Sequence, residues 1–324
     1  MLMDERCSII NSSCIDGLHE LKASNTKIQL TVTSPPYFNV KEYVHYSSYS
    51  EYLKSLENVF SLVYDITDDG RMCCVNISNI LLQRKSRSNE SSRIPLAFHF
   101  VSLMERIGWK FIEDILWIKP EGAAKNRNGG FFQHRQPVAY KPNIINEYIF
   151  VFQKPSDHLI DKIVRGYNAI DSLNSKVDEG YERTNVWKIN PDTKSKHPAP
   201  YPEELVDKLI KYYSFVEDTV LDPYMGSGTT AVIAYKLNRK SIGFEIHKEY
   251  VEMAMERLKH VTTNIKKQIE FDKTEYINLS KLKIIEKLNK FSKKHLLALL
   301  DDDTIATTRK DRIILKIYES YLKL

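Results

Sequence analysis

The sequence has little glycine and proline and contains no long apolar run. Its 324 residues include 11 glycines and 12 prolines, well below the roughly 12% that the two residues reach together in average usage. This composition excludes a collagen-like or low-complexity chain. Apolar runs extend over only a few residues, so we expect no helix that spans a bilayer. The first residues lack the basic and apolar regions of a signal peptide, which favours a cytoplasmic protein.

Cysteine is also scarce. Four cysteines, Cys7, Cys14, Cys73 and Cys74, do not form a disulfide framework in a chain of this length. Two of them are adjacent, and no pair has the spacing of metal ligands with histidines nearby. We therefore expect reduced cysteines and no metal site, with Cys73 and Cys74 as small apolar residues of a buried strand.

Charge is balanced except at the C-terminal end of the sequence. Lysine and arginine number 47 and aspartate and glutamate 42, a net charge of +5. The whole excess lies in residues 262–324, which contain 14 basic and nine acidic residues. A basic excess at one end indicates either a polyanionic partner or a solvated helical surface, and both remain open.

Apolar patterns predict alternating strands and helices. We expect strands at 8–11, 28–33, 72–77, 111–118, 144–152, 219–222 and 240–245, and helices at 50–65, 95–107, 203–213, 229–237 and 248–260. This alternation predicts an α/β fold, a mostly parallel twisted sheet with helices on both faces. Asp68-Asp69-Gly70 is predicted as a turn, and residues 121–142 and 154–196 as irregular insertions.

The pattern changes to helix alone after residue 261. Apolar residues from Leu282 to Leu299 follow one stripe, and residues 313–322 form another. An apolar stripe needs a protein surface to cover it. We therefore expect one α/β domain over residues 1–261 and a packed helical appendage over residues 262–324.

A buried strand runs into a glycine turn and a helix at residues 220–230. Because Gly226 and Gly228 lack Cβ atoms, the backbone can approach a ligand, and the helix N-terminus offers unpaired N–H groups. Glu245 ends the next strand, close to the spacing of about 20 residues expected for an acid that binds ribose hydroxyls. The lysine of a P-loop and the third glycine of a dinucleotide fingerprint are both missing. The segment predicts a Rossmann-type site for a nucleoside cofactor.

A second motif, Thr33-Ser34-Pro35-Pro36-Tyr37, directly follows a predicted strand. Its two prolines remove N–H donors and fix φ, so the loop is rigid and presents carbonyl oxygens. Such a loop suits a planar ring with an exocyclic amine, because oxygens accept from the amine while an aromatic ring stacks. The alternative is a Pro-Pro turn that only ends a strand.

Together the two motifs resemble those of the S-adenosylmethionine-dependent DNA amino-methyltransferases of restriction–modification systems. The loop with Ser34 precedes the loop with Gly226, which is the order of the permuted β class. A third segment, His197-Pro198-Ala199-Pro200-Tyr201-Pro202, resembles the one that precedes the cofactor loop in this family. Further matches are Asp69-Gly70-Arg71, Trp117-Ile118-Lys119-Pro120 and Asn146-Glu147-Tyr148. The resemblance covers roughly residues 8–260.

The resemblance implies a Rossmann-like methyltransferase fold and transfer of a methyl group to an exocyclic amine of a flipped-out base in duplex DNA. Adenine enzymes typically have Asp or Asn at the first position of the catalytic loop and cytosine-N4 enzymes typically Ser. Ser34 therefore indicates a site-specific, cytosine-N4 DNA methyltransferase. An adenine-N6 enzyme is the alternative, and a non-catalytic DNA-binding subunit with the same fold is a more distant one.

The resemblance also implies which residues form the site. The catalytic residues would be Ser34, Pro35, Pro36 and Tyr37. Residues implied to bind S-adenosyl-L-methionine are Ser13, Cys14, Thr33, His197, Pro198, Asp222, Pro223, Tyr224, Gly226, Ser227, Gly228, Thr229 and Glu245. The family usually has an Asp preceded by glycine where Ser13 stands, so here a neutral hydroxyl would meet the adenine of the cofactor.

Duplex DNA is the implied partner, and basic residues of the two insertions are candidates for contacts to it. These candidates are Arg127, His134, Arg135, Lys141, Lys162, Arg165 and Arg183. In the appendage, Lys287, Lys290 and Lys294 are expected to contact the DNA backbone, although a helical cap or a dimer contact is also open. A restriction endonuclease acting on the same site is a further implied partner. A bacterial cytoplasmic, nucleoid-associated protein is expected, as a monomer or a homodimer.

Overall fold

A computed structural model describes residues 2–4, 6–38, 46–82, 92–121, 137, 142, 144–177, 179–192, 202–276 and 314. The chain divides into two compact units, Met1–Glu256 and Arg257–Leu324. In the part of the chain just defined, no helix is both long and apolar enough to cross a membrane. The apolar stripes expected between residues 282 and 322 lie outside the described residues, apart from Ile314, which is helical and buried.

The first unit is built on a mixed sheet flanked by helices. The strands are β1 (Leu2–Asp4), β2 (Cys7–Asn11), β3 (Ile28–Thr33), β4 (Thr67–Ile77), β5 (Ile80–Leu82), β6 (Ser92–Ile94), β7 (Lys110–Ile118), β8 (Asn146–Gln153), β9 (Val186–Lys188), β10 (Thr219–Asp222) and β11 (Lys240–Glu245). The helices are α1 (Cys14–Ala23), α2 (Tyr49–Ile66), α3 (Leu96–Ile107), α4 (Ile160–Arg165), α5 (Ala169–Asn174), α6 (Glu203–Tyr213), α7 (Thr229–Lys236) and α8 (Lys248–Tyr276).

Nine strands form the main sheet, in the order β1-β2-β11-β10-β3-β4-β8-β7-β9. β2, β11, β10, β3 and β4 run parallel, whereas β8 runs antiparallel to both β4 and β7. β5 and β6 pair separately as a short antiparallel hairpin. The predicted α/β fold with a mostly parallel sheet is confirmed.

Both faces of the sheet are buried, which explains why its strands read as continuous apolar runs. In β4, Cys73 and Val75 belong to one core cluster and Cys74 to the cluster on the opposite face. Helices α1, α2 and α3 contribute to the first cluster, and α6 and α7 to the second. All four cysteines are free, as expected, and Cys73 and Cys74 are buried.

Two predicted boundaries are wrong. Asp68-Asp69-Gly70 was expected to form a turn, but β4 runs through these residues, since Thr67 already pairs with Ile28 of β3. A register shift follows, and Gly70 provides the positive φ of 78° that the irregularity requires. The last predicted helix, 248–260, extends instead to Tyr276, and no glycine or proline interrupts the added residues.

The insertion expected over residues 154–196 is more ordered than predicted, since it contains α4, α5 and β9. Tyr167, just after α4, stacks on Phe215 with ring centroids 4.1 Å apart. Its hydroxyl accepts a hydrogen bond from Arg71 and donates one to the buried Asp218. Asp218 directly precedes β10 and Arg71 lies in the first half of β4, so the segment around α4 is attached at the amino ends of these strands.

Candidate active site

The two predicted loops meet at the carboxyl edge of the sheet, where the parallel strands end. We call residues 34–37 the Ser34 loop and residues 224–228 the glycine turn. They follow β3 and β10, which are adjacent and parallel. From β3 the chain continues to β4 on one side, and from β10 to β11 on the other. Neighbouring strands whose connections leave in opposite directions form a topological switch point, where α/β sheets bind ligands.

Asp222 joins the two loops. Its Oδ1 accepts hydrogen bonds from Thr33 Oγ1 at 2.7 Å and from the Tyr224 amide at 3.1 Å. Its Oδ2 accepts one from Thr230 Oγ1 at 2.6 Å. The side chain is buried, and buried carboxylates need such donors to offset their desolvation. Asp222 was expected among the cofactor ligands; its protein donors indicate that it fixes the relative position of β3, β10 and α7.

Glu245 faces the glycine turn from the end of β11. Its Oε2 accepts a hydrogen bond from the Gly226 amide at 2.9 Å, and its Oε1 accepts one from the His247 amide at 2.8 Å. Gly226 has a φ of 53°, in the left-handed region that favours glycine. Because a carboxylate has about four lone-pair positions, the two bonds leave Glu245 with acceptor capacity for hydroxyl groups of a ligand.

Gly228 has a packing role beside the approach of a ligand that the sequence predicts. It is the N-cap of α7 with a φ of 79°. A Cβ atom here would lie 2.6 Å from the Ala254 Cβ of α8. The missing side chain therefore allows α7 and α8 to pack closely, and contact of Gly228 with a ligand stays a prediction.

The N-terminal residues implied to bind the cofactor lie beside the glycine turn. β2 pairs with β11, and Asn11 Nδ2 donates to the Glu245 carbonyl oxygen at 2.8 Å. Ser13 is the N-cap of α1, and its Oγ accepts from the amide two residues further on. The thiol of Cys14 hydrogen-bonds to Tyr224 in the glycine turn; burial raises the pKa of this thiol to about 11, and the hydrogen bond partly opposes the increase.

A cluster of polar side chains supports the Ser34 loop, and we call it the Glu147 cluster: Ser34, Tyr37, Asn76, Lys119 and Glu147. Glu147 Oε2 accepts from Asn76 Nδ2 at 2.8 Å and from the Tyr37 hydroxyl at 3.2 Å. Lys119 forms an ion pair with Glu147 Oε1. Asn76 Nδ2 also lies 3.4 Å from Ser34 Oγ, and Ser34 hydrogen-bonds to the Tyr37 side chain. Burial, followed by the negative charge of Glu147, raises the pKa of Tyr37 well above its usual range.

The backbone of the Ser34 loop is fixed from the side of α2. The carbonyl oxygen of Pro36 accepts a hydrogen bond from the Tyr52 hydroxyl at 3.0 Å. Tyr52 is fully buried, so its hydroxyl has a defined position. Pro35 is also buried, whereas Ser34 and Tyr37 are half-buried. A buried side chain therefore holds one backbone carbonyl of the loop, and the rigidity predicted from the two prolines stays a prediction.

The DNA methylase family, N6_N4_Mtase, matches residues 28–256, a range that includes both the Ser34 loop and the glycine turn. The chain belongs to this family. It is a DNA methyltransferase. A similar relative is the orphan methyltransferase M.BamHII of Bacillus amyloliquefaciens, which is 30% identical over 261 residues, 72% of this chain and 89% of the relative. The type II methyltransferase M.ScaI of Streptomyces caespitosus is 29% identical over 254 residues, 75% and 79% of the two chains. In M.BslI of Bacillus sp., also 29% identical, the matched part is only 26% of the relative.

Solved structures share the fold of this DNA methylase. One is TTHA0409 of Thermus thermophilus in complex with S-adenosyl-L-methionine, with a TM-score of 0.63 and 23% identity over 80% of this chain and 94% of that one. Another is the PvuII DNA methyltransferase, described as cytosine-N4-specific, with a TM-score of 0.56 and 18% identity over 80% and 91% of the two chains.

The structure brings together many of the residues that the sequence analysis implicated in the methylase site, but not all of them. Thr33, Pro223, Ser227 and Thr229 are buried around the loops that follow β3 and β10. Six others lie outside the described residues, namely Arg127, His134, Arg135, Lys141, His197 and Pro198.

Three of the expected DNA contacts, Lys162, Arg165 and Arg183, are placed away from the Ser34 loop, and Lys162 and Arg165 both belong to α4. Arg165 ends α4, which is attached at the amino ends of β4 and β10 through Tyr167. Arg183 precedes β9, whose three residues pair with the last three of β7 and end at Lys188. Residues before β9 therefore lie toward the amino end of β7. The structure brings none of these three residues to the carboxyl edge that holds the loop.

Asn76, Lys119 and Glu147 belong to the site although no role is predicted for them from the sequence. All three lie at one edge of the sheet, because β8 begins where β4 and β7 end, with Tyr148 paired to Ile77 and Glu147 to Trp117. Lys119 and Glu147 do lie in two of the segments that resemble the family, which gave a signal for their importance in the sequence. Their convergence depends on the antiparallel direction of β8, which strand patterns alone do not reveal.

Proposed function

We propose that this DNA methylase is site-specific and methylates the exocyclic N4 of a flipped-out cytosine in duplex DNA, with S-adenosyl-L-methionine as the methyl donor. The observation that carries the proposal is the meeting of the Ser34 loop and the glycine turn at one topological switch point. One loop offers acceptors for an amine, and the other adjoins a carboxylate suited to ribose hydroxyls. The choice of cytosine rests on Ser34 at the first position of the loop.

The residues at the glycine turn fit S-adenosyl-L-methionine, which supplies, when bound, a reactive methyl group on a positively charged sulfur. Glu245 retains acceptor capacity for the ribose hydroxyls. The Gly226 backbone and Tyr224 would contact the cofactor beside it, and Ser13 would meet the adenine in place of the usual acid. Ile246, directly after Glu245, is 52% exposed and offers an apolar surface next to that carboxylate.

The Ser34 loop would hold the target base. An exocyclic amine is conjugated with its ring and is a poor nucleophile, so acceptors must orient its nitrogen lone pair toward the methyl carbon. We assign this role to Ser34 Oγ and the Pro35 carbonyl oxygen. The Pro36 carbonyl already accepts from Tyr52, which supports Pro35 as the backbone acceptor. Tyr37 would stack on the base, as aromatic side chains do with unpaired bases.

Transfer is proposed to be direct, without a covalent link between the protein and the base. The described cysteines do not suit a nucleophile: Cys73 and Cys74 are buried, and burial raises the pKa of both thiols well above their usual range. The thiol of Cys14 contacts Tyr224 on the cofactor side of the site. The amine nitrogen itself therefore acts as the nucleophile.

Duplex DNA is the proposed substrate, and the proposed setting is a restriction–modification system. The printed names of several relatives, type II methyltransferases, support this setting. An endonuclease that cuts the same sequence would be the functional partner, because methylation at its site would protect the host DNA.

The test is to incubate the full chain with random-sequence duplex DNA and S-adenosyl-L-methionine, and then to analyse nucleosides by mass spectrometry and map modified sites by sequencing. We expect N4-methylcytosine within one recurrent sequence. Detection of N6-methyladenine alone would replace the base assignment and keep the methyltransferase. Cofactor binding without any methylated nucleoside would favour a non-catalytic DNA-binding subunit.

A further inference from the structure

The Glu147 cluster contains a continuous chain of hydrogen-bonding groups that starts at the catalytic loop. The Tyr37 hydroxyl donates to Glu147 Oε2 at 3.2 Å, and the Asn76 amide that also donates to this oxygen lies 3.4 Å from Ser34 Oγ. Burial and the charge of Glu147 raise the pKa of Tyr37, and Ser34 partly opposes the increase, the direction expected of a neighbouring hydroxyl that donates to the phenol oxygen. The Glu147 side chain is 17% exposed and that of its ion-pair partner Lys119 is 22% exposed. The chain therefore leads from the predicted position of the target amine, through two hydroxyl groups, to a carboxylate that reaches solvent.

Asn76 fixes the direction of this chain. Its Nδ2 is a donor only, and it points toward both Glu147 Oε2 and Ser34 Oγ, at 2.8 and 3.4 Å. A carboxylate cannot donate to the Asn76 amide, so the amide group cannot be reversed without losing the shorter bond. With Ser34 Oγ accepting from Asn76, the Ser34 proton is directed to Tyr37 and the Tyr37 proton to Glu147.

We propose that Glu147 is the terminal acceptor of a proton relay, Ser34–Tyr37–Glu147, that removes the proton lost by the target amine. This inference rests on the proposed function. Glu147 acts through Tyr37 and Ser34, and Lys119 and Asn76 hold its carboxylate in place. It is a positioning and relay residue, and it does not touch the base.

The proposed step is balanced in atoms and charge. The bond between the amine nitrogen and the methyl carbon forms as the sulfur–carbon bond breaks, and positive charge develops on the nitrogen. One N–H bond breaks in the same step, and its proton passes to Ser34 Oγ while the Ser34 proton passes to the Tyr37 hydroxyl. The Tyr37 proton passes to Glu147 Oε2, which becomes a neutral carboxylic acid and later releases the proton to water. No additional reactant is required.

The relay explains two features that stacking alone does not. A ring that only stacked on a base would not need a hydroxyl directed at a partly buried carboxylate. Partial burial of the Glu147–Lys119 ion pair also contributes little to stability, since desolvation offsets much of the attraction within such pairs. A role in catalysis would explain why the pair is present.

The main test compares Glu147→Gln, Tyr37→Phe and the wild-type full chain. Glutamine keeps an acceptor for Tyr37 and Asn76 but does not take up a proton, and phenylalanine keeps the ring while removing the hydroxyl. We expect both variants to lower kcat by about 10- to 100-fold, at the low end of general acid–base effects, with little change in KM for DNA or in cofactor affinity. Glu147→Asp keeps a carboxylate and should recover part of the lost kcat.

Solvent isotope effects separate a relay from a purely structural role. Single-turnover rates of the wild type measured in mixtures of H₂O and D₂O should depend non-linearly on deuterium content, as expected when several protons move together. In Tyr37→Phe and Glu147→Gln this curvature should disappear. A wild-type kcat in both variants, or unchanged curvature in Glu147→Gln, would overturn the relay.

A measurement that does not depend on turnover tests the hydrogen-bonded chain itself. With 3-fluorotyrosine placed at position 37, the fluorine resonance of the enzyme without cofactor or DNA should shift on Glu147→Gln. A matched change of an exposed residue, Glu252→Gln, should leave the resonance unchanged. An identical resonance in all three proteins would contradict the Tyr37–Glu147 contact. If the wild type methylates DNA normally and only these results fail, the proposed function stands and the relay does not.

Discussion

At the scale of single residues, the site is organised by buried polar groups that satisfy one another. Asp222 accepts from Thr33, Tyr224 and Thr230 and thereby connects the Ser34 loop to the glycine turn. Glu245 accepts a hydrogen bond from the Gly226 amide and thereby connects the end of β11 to the glycine turn. These bonds place the loops before any ligand binds, so little ordering is needed on binding.

Asp222→Asn tests this connection. The asparagine Nδ2 cannot accept, so the Thr230 hydroxyl must accept in place of donating or lose its bond. The bonds from Thr33 and Tyr224 also lose the negative charge of their acceptor. We expect a loss of about 2–3 kcal/mol in the free energy of unfolding, typical of bonds to a buried charged group, measured by urea denaturation. The same change at the exposed Asp157 should alter stability by less than about 0.5 kcal/mol. Equal stability of the two variants would argue against a structural role of Asp222.

The reactivity of the Cys14 thiol provides a test of the surroundings of the glycine turn. The pKa of its thiol is raised to about 11, so the reactive thiolate is a small fraction at neutral pH and increases toward pH 11. We expect slow alkylation by iodoacetamide at pH 7.5 and progressively faster alkylation up to pH 10, followed by mass spectrometry of the labelled peptide. S-adenosyl-L-methionine should slow this labelling at every pH. Rapid labelling at neutral pH that the cofactor does not affect would contradict the environment described for Cys14.

At the scale of elements, strand and helix positions follow from the sequence where both faces of a strand are buried or a helix has a clear apolar face. β3, β10 and β11 have the predicted bounds, and so does α6. The short elements between residues 154 and 192 were missed because α4 and α5 have six residues each and β9 has three. Segments of that length show no period, and tertiary contacts such as the Tyr167–Phe215 stack hold them in place.

The packing of α7 on α8 gives a prediction at this scale. Gly228→Ala introduces a Cβ atom 2.6 Å from that of Ala254 and places a side chain at a φ of 79°. We expect a loss of roughly 2–4 kcal/mol, from overpacking together with the unfavourable backbone conformation. Gly180→Ala is the matched control, because no atom lies within 4 Å of a Cβ there. Urea unfolding of the two variants decides between this role and one limited to ligand contact. In the latter case Gly228→Ala would lose only about 1–2 kcal/mol from its backbone conformation, and Gly180→Ala would be as stable as the wild type.

At the scale of the whole molecule, the sequence was sufficient for the family, the fold class and the two loops of the site. It was insufficient for the Glu147 cluster, because residues 34, 76, 119 and 147 meet only through strand order and direction. It was also insufficient for the packing role of Gly228, since contact with α8 cannot be seen in a local motif. Motifs in the sequence therefore predict the two loops of the site. The residues that support these loops cannot be predicted in this way, because they come together only through the order and direction of the strands.

The uneven charge of the chain gives a prediction for the molecule as a whole. The basic excess lies in residues 262–324, and we expect Lys287, Lys290 and Lys294 to contact DNA phosphates without reading sequence. Their replacement by Ala should weaken binding to all duplexes alike and reduce the slope of log K against log salt by about 3. Replacing the exposed Lys27, Lys54 and Lys176 removes the same charge and should have a smaller effect. If both triple variants bind equally at low salt, the excess is a solvated surface or a contact between proteins.

We propose that one site has two halves, with the cofactor held at the glycine turn and the base at the Ser34 loop. Calorimetric titration of S-adenosyl-L-methionine into Tyr37→Ala and Gly226→Val tests this division, with thermal unfolding used to verify that each variant is folded. We predict that folded Tyr37→Ala binds the cofactor as the wild type does while losing turnover, since stacking contributes about 1–3 kcal/mol per base. Folded Gly226→Val should show no binding. Equal loss of cofactor affinity in both variants would contradict the division of the site into two halves.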